Sequence, residues 1–308
     1  MSAARATFCE RIGTIRSAID NFGLRDLPPI PAHKVHNASA RVVRNGLAVQ
    51  TFNTLEDFLR ARMAEALTLI SGSSVQFVNL PQALQKAATI DVISAIQFQL
   101  KLQDLSSRVA YAQDNSRRIG TSVNPPLDLP KLAFFHSSSN ISHDHFRDSL
   151  NAFRIKDPWG QVGGLFSRWG VSAVPGETLF IELANRRHKA AHEPTASVSE
   201  VDLLQSLRDA TTLAAGFDIL LSHCLRQILL LTAPPSNFLL TDHNSIAARF
   251  IKYSNPRFGE MREGGLRFFR TAADPDTLVP GARARAANEN GALLIFDASG
   301  NLNSWDLP

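Results

Sequence analysis

The sequence predicts a mainly α fold: a helical bundle with a β-hairpin insertion near its N-terminus, followed by a small β-containing C-terminal module. Three observations predict it. Over the first three quarters of the chain, apolar residues recur three and four apart, the period of an amphipathic helix. One stretch, RVVRNGLAVQTF, instead sets two short β-type runs around Asn45-Gly46, a strong hairpin signal. At Pro234-Pro235 the chain turns to Gly, Asn and Arg with short runs such as ALLIFD. The expected division is 1–232 for the helical part and 233–308 for a small basic α+β or β module.

The first helix is expected over residues 5–22, with Phe8, Ile12, Ile15, Ile19 and Phe22 on one face. Pro28, Pro29 and Pro31 break the chain before the hairpin. Asn53 or Thr54 then caps a helix over 55–70, whose apolar side carries Phe58, Leu59, Met63 and Leu67. Two helices follow between residues 81 and 119, with Ile90, Ile93, Ile96, Leu100 and Val109 as their apolar positions. A short helix over 143–153 ends at the turn Asp157-Pro158-Trp159-Gly160. The next helix, 177–192, is entered after Pro175-Gly176 and stopped by Pro194. Ser197 with Glu200 has capping-box spacing and opens a long helix to about residue 231. In the last module LRFFR and ALLIFD read as strands, and Asp297-Ala298-Ser299-Gly300 as a turn between strands.

Composition narrows the function classes. At 308 residues, 44% hydrophobic and 19% charged, the chain has globular rather than disordered character. Cys9 and Cys224 alone cannot build a disulfide framework or a four-thiolate metal site. The N-terminal MSAARATFCERIG lacks the apolar run of a signal peptide, and the most hydrophobic stretch, 219–231, is interrupted by polar residues and too short to span a bilayer. The expectation is a cytoplasmic protein with no membrane partner. Arg supplies 25 of the 32 basic residues, and the whole net charge of +4 falls between residues 246 and 287. Such an Arg excess suits a phosphate-facing surface and equally a solvated face.

One segment carries chemistry: ETLFIELANRRHKAAHEP, residues 177–194. On a helix Phe180, Leu183, Ala184, Arg187 and Ala191 share a face, so Arg187 stands where a Leu is expected. A guanidinium there needs a partner, a ligand anion or a wet cleft. His188 and His192 flank that face one turn apart, His192 at the helix end where the dipole favours imidazolium. Structural readings of the same residues are an internal ion pair for Arg187 or a metal pair of histidines. The latter lacks an evident third ligand and the Glu of a helical zinc protease.

The Arg187-x4-His192 spacing, with His188 in the polar second place, resembles the catalytic motif of the HEPN superfamily. The Ile141-Ser142-His143 run, the helix after it and the motif helix look like the RiboL-PSP branch of those proteins. The likeness covers about residues 50–232; Glu193, after the motif His, departs from the small residue many relatives carry. The resemblance implies a HEPN-type helical bundle and metal-independent RNA cleavage at a site shared by two subunits. It implies no cofactor, an RNA substrate, a homodimer or higher oligomer, and a toxin or antiviral role restrained by an antitoxin or regulatory protein.

The reaction can also be argued from the residues. RNA brings its own nucleophile, the 2′-hydroxyl. Imidazole suits the proton transfers and Arg suits the phosphorane charge. Arg187, His192 and His188 are therefore the catalytic candidates. Arg186 and Lys189, with Arg257, Arg262, Arg267 and Arg270, are the candidate substrate contacts. The last four are interleaved with Phe250, Tyr253, Phe258, Phe268 and Phe269, as in single-strand binding surfaces and equally as in a small β core. The competing function is a non-catalytic HEPN-like dimer acting as an RNA- or protein-binding regulatory module.

Overall fold

The computed structural model describes residues 2–193, 195–236 and 243–307. It is mainly helical, with one small mixed sheet in the C-terminal region. Helix α1 (Ala3–Asn21) buries Phe8, Ile12, Ile15 and Ile19 and leaves Phe22 in solvent.

The expected hairpin does not form. Residues 41–52 lie inside α2 (Lys34–Ser71), an unbroken helix of 38 residues that also absorbs the separate helix expected over 55–70. Its inner face runs Ala40, Arg44, Ala48, Phe52, Leu55, a helical repeat that Arg44 hides from a hydrophobicity count. The Arg44 guanidinium is buried because it donates to the carbonyls of Leu24 and Val198 and pairs with Asp26. Asn45, read as a turn residue, uses its side chain to hold the backbone of Ala196 and Val198. Val42 and Val43 face outward, where β-branching costs a helix only a few tenths of a kcal/mol. Thr54 caps nothing; its hydroxyl donates to the Gln50 carbonyl one turn back.

A short α3 (Gln82–Lys86) passes through a π-helical turn into α4 (Val92–Leu102), and α5 (Arg108–Gly120) folds back beside α4. The apolar positions expected to pack here do so only in part, since Ile90, Ile93 and Val109 are exposed. α6 (His143–Ala152) starts at a capping box in which the Ser142 N–H donates to His145 Nδ1 and the Ser142 hydroxyl accepts from the His145 N–H. The expected turn at Asp157 is instead the N-cap of another helix, α7 (Pro158–Trp169), with Pro158 in its first position. Three glycines in α7 weaken its local helical signal, and packing restores it.

α8 (Gly176–His192) carries the candidate motif and ends where expected; Pro194 lies outside the described residues. α9 (Glu200–Ile228) is capped by Ser199, two residues later than the Ser197 box, whose hydroxyl instead accepts from Arg44. α2 packs against α1, α8 and α9 to make the centre of the bundle. Gly216 sits where α7 crosses α9, and a Cβ there would lie 2.8 Å from the Phe166 ring.

The C-terminal sheet has the order β3-β2-β1-β4-β5, from β1 (Ala248–Ser254), β2 (Arg257–Arg262), β3 (Arg270–Ala272), β4 (Ala292–Phe296) and β5 (Leu302–Asp306). β1 and β4 are parallel, joined by a connection containing α10 (Val279–Asn288); the other pairs are antiparallel. LRFFR contributes only Arg270 to a strand, whereas ALLIF forms β4 and the Asp297–Gly300 turn leads to β5. Alternation sorts the two faces. Ile251 and Leu293 meet α10, while Phe250, Leu294 and Trp305 join the same core as the bundle. No described helix is long and apolar enough to cross a membrane.

Candidate functional site

An aromatic cluster fixes the first half of α8. Phe180 meets Phe52 of α2, Phe146 of α6 and Trp159 of α7 at ring-centroid distances of 5.8, 6.0 and 6.2 Å. Phe146 stacks on Trp159 at 4.3 Å and meets Phe217 of α9 at 5.1 Å. α8 runs antiparallel to α9: Gly176 and Gly216 both lie over Val162, and Arg186 pairs with Asp209. Beyond Leu183 the helix leaves the cluster. Ala191, expected on the packed face, is exposed, and Ala190 touches the core in its place.

Arg187 stands at this edge, half-buried. Its Nη2 donates to the Asn140 side-chain oxygen at a long 3.3 Å, and its buried Nε has no hydrogen-bond partner in the structure described. Among the described residues it makes no ion pair within 4.0 Å, unlike its neighbour Arg186. An acid that feels its charge is Glu56 on α2, which is only 4% exposed. Burial pushes the Glu56 carboxyl above its ordinary value, against the pull of the Ile141 N–H, Arg60 and Arg187.

Glu56 and Arg60, one turn apart on α2, clamp the segment that offers Asn140. Glu56 Oε1 accepts the Ile141 N–H at 2.5 Å, and Arg60 donates to the carbonyls of Phe135 and Ser139 at 3.1 and 3.2 Å. Asn140, Glu56 and Arg60 were not legible as site residues. The only local signal is an acid and a base four apart, Glu56 and Arg60, set among the apolar Leu55, Phe58, Leu59 and Met63.

His188 and His192 are both exposed, with ring centroids 4.8 Å apart, on the same last stretch of α8. Lys189 is exposed beside them, and the exposed Glu193 closes the helix through its N–H to the Lys189 carbonyl. Arg186 points elsewhere: it donates to Asp209 at 2.7 Å and to Glu182 at 3.3 Å, which ties α8 to α9. His143 lies 3.8 Å from Asp144 and from Glu177, away from the motif turn. Among the described residues, no three or more His, Cys, Asp and Glu side chains gather as a metal ligand set.

In the basic module, internal pairs use part of the charge. Arg249 pairs with Glu260 and Glu289, Arg285 with Glu260, and Arg283 with Asp306. Arg257, Arg262, Arg267 and Arg270 remain exposed, with Arg262 at 3.7 Å from Glu289. The aromatics divide: Phe250 is core and Phe258 packs toward α10, while Tyr253, Phe268 and Phe269 reach the surface. Lys252 lies over the Phe250 and Phe296 rings, where burial lowers its pKa. The structure does not bring these cations to the motif of the same chain. β5 meets α9 at Asp218, whereas Arg186 of α8 meets α9 at Asp209, nine residues and about 14 Å earlier along that helix, with the last turn of α8 running further toward the start of α9.

The chain matches no family model, no curated protein and no solved structure.

Proposed function

We propose that this chain is a metal-independent endoribonuclease of the HEPN type, acting as a homodimer whose site is assembled around the ends of two α8 helices. The observation that carries this reading is Arg187. A half-buried guanidinium with an orphaned Nε, no ion pair among the described residues and two histidines within the next five residues is arranged to receive an anion.

In the reaction, Arg187 binds two oxygens of the scissile phosphate and stabilises the phosphorane charge. His192 exchanges a proton with the 2′-hydroxyl or the leaving 5′-oxygen, and His188 orients the substrate beside it. One Arg and one motif His per chain are few; pairing two exposed α8 ends about a two-fold axis doubles the set. Asn140, held by Glu56 and Arg60, keeps Arg187 aimed outward. Lys189 adds positive charge beside the site, and Arg257, Arg262, Arg267 and Arg270 hold more distant parts of the RNA. The role in the cell that fits this activity is that of a toxin or antiviral effector, restrained by an antitoxin or regulatory protein.

The test is incubation of end-labelled RNA with the protein in EDTA. Cleavage leaving a 2′,3′-cyclic phosphate on the upstream fragment is expected. Strict dependence on added Mg²⁺, or cutting of DNA, which lacks the 2′-hydroxyl, would overturn the mechanism.

A further inference from the structure

A concavity lined by no residue of α8 lies where α1, α2, the end of α9 and residues 131–136 meet, with Arg60 shared between its wall and the clamp on 139–141. It encloses about 1120 Å³, room for a small organic molecule with space to spare. Its floor and walls are apolar: Phe8, Phe58, Leu132, Leu225 and Leu229 line it, and Leu69 stands exposed on its side.

The charges around it differ in how committed they are. Arg5 and Arg62 line the cleft but are held by Asp218 at 2.8 and 2.6 Å. Arg11 is matched by Asp57, both well exposed. Arg60 holds only carbonyl oxygens closely, with its nearest carboxylates at 3.9 and 4.0 Å. Lys131 is exposed at the cleft and makes no hydrogen bond or ion pair among the described residues. His136 completes that wall as a neutral ring, since burial and then Arg60 bring its pKa down to about 4. The wall therefore combines an apolar body with one cation, Lys131, that has no counter-charge among the described residues, and a second, Arg60, whose carboxylates Asp57 and Glu56 stand off at 3.9 and 4.0 Å. The one other acid of the lining, Glu65, is taken by the Ser2 hydroxyl and the Ala4 N–H.

We propose that this cleft is a binding site for a small amphipathic organic anion, its apolar body against Phe8, Phe58 and Leu69 and its head group between Arg60 and Lys131. Both features are needed for recognition. An apolar ligand alone leaves Lys131 unanswered, and a bare phosphate leaves the apolar walls wet.

The test uses 8-anilinonaphthalene-1-sulfonate, an aromatic anion whose fluorescence reports transfer from water to an apolar site, with the uncharged N-phenyl-1-naphthylamine as its matched neutral probe. The full-length protein is expected to bind the sulfonate at one saturable site, at least about tenfold more tightly than the neutral probe. Lys131→Glu reverses a free surface charge and is expected to weaken sulfonate binding about tenfold or more while sparing the neutral probe. Ala61→Trp fills the cleft from an exposed helix position and is expected to exclude both. Ile93→Asp, on the exposed apolar side of α4, is expected to change neither. Displacement of the bound probe by decanoate identifies an acyl anion as the natural kind of ligand, and displacement by adenosine monophosphate a nucleotide; failure of both overturns the proposal. Equal affinity for the two probes, or loss of binding in Ile93→Asp but not in Ala61→Trp, overturns it as well. None of these readings depends on RNA cleavage, so the site stands or falls separately from the proposed activity.

Discussion

Arg5, near the start of α1, donates from Nε to Oδ2 of Asp218 in α9 at 2.8 Å, across 213 residues of chain. The same carboxylate, fully buried, also accepts from Arg62 Nε at 2.6 Å and Trp305 Nε1 at 2.9 Å. Arg5 continues to Asp306 at 2.6 Å. One acid thus joins α1, α2, α9 and β5, and it ties the sheet to the bundle alongside Arg168–Glu263 at 2.6 Å and Arg16–Asp297 at 3.1 Å. Burial works against the Asp218 charge, but Arg5, Arg62 and the hydrogen bonds from Arg62 and Trp305 outweigh it and hold its pKa below the ordinary value.

Asp218→Asn leaves two buried guanidinium groups to share only Asp306 and the more distant Glu65, and is expected to destabilise the fold by about 3 kcal/mol in urea unfolding. The pH dependence has a defined sign. A depressed folded pKa contributes stability above the unfolded value, and that contribution is lost as pH falls through the folded one. The gap between wild type and Asp218→Asn should therefore shrink as pH drops below the ordinary aspartate value of 3.8. A gap that stays constant into strong acid means the ion pairs do not support the junction.

Glu56→Gln keeps an acceptor for the Ile141 N–H but removes a charge whose pKa burial has raised. A raised folded pKa makes the acid's contribution favourable below its unfolded pKa and loses it as pH rises through the folded one. The variant is thus expected to gain stability relative to wild type across that interval, read from thermal unfolding at a series of pH values. Glu56→Ala, which abandons the Ile141 N–H, is expected to lose about 1–3 kcal/mol at every pH.

Arg187→Ala and His192→Ala are each expected to fold normally and to lower RNA cleavage about 10²–10⁴-fold, since each removes phosphate stabilisation or proton transfer. Arg187→Lys keeps the charge but not the two-pronged contact and should recover only part of the rate. His188→Ala is expected to be milder. Near wild-type cleavage by both alanine variants would remove the site from α8.

Replacing Arg257, Arg262, Arg267 and Arg270 with Gln is expected to weaken RNA binding and flatten its salt dependence by roughly one unit of slope per lost phosphate contact. Cleavage at saturating RNA should stay near normal, because these residues lie on β2, β3 and the loop between them and not on α8. An unchanged salt slope assigns this surface to something other than phosphate.

The motif helix was legible in the sequence because its signals are local. A Pro-Gly entry, apolar positions at helical spacing and a polar end fixed α8, and the same spacing exposed Arg187 as a misfit on a packed face. ALLIF as a strand and the Asp297 turn were readable for the same reason. The hairpin reading of Asn45-Gly46 failed because its outcome is not local. Arg44 enters the core only when Leu24, Asp26 and Val198, distant in sequence, supply its partners, and Asn45 then spends its amide on 196–198 rather than on a turn. Likewise, only the tertiary structure could show that Arg186 is bound to Asp209 while Arg187 is left with Asn140 and an orphaned Nε. Adjacent on one helix, the two arginines differ by about 100° of rotation, and which of them meets a carboxylate is decided by the neighbouring helix. The sequence by itself determined the helical character of α1, α8 and α9 and singled out α8 as the candidate motif helix; the packing of α2, α8 and α9 decided that Arg44 and Arg186 are spent on the fold while Arg187 is left without a carboxylate among the described residues.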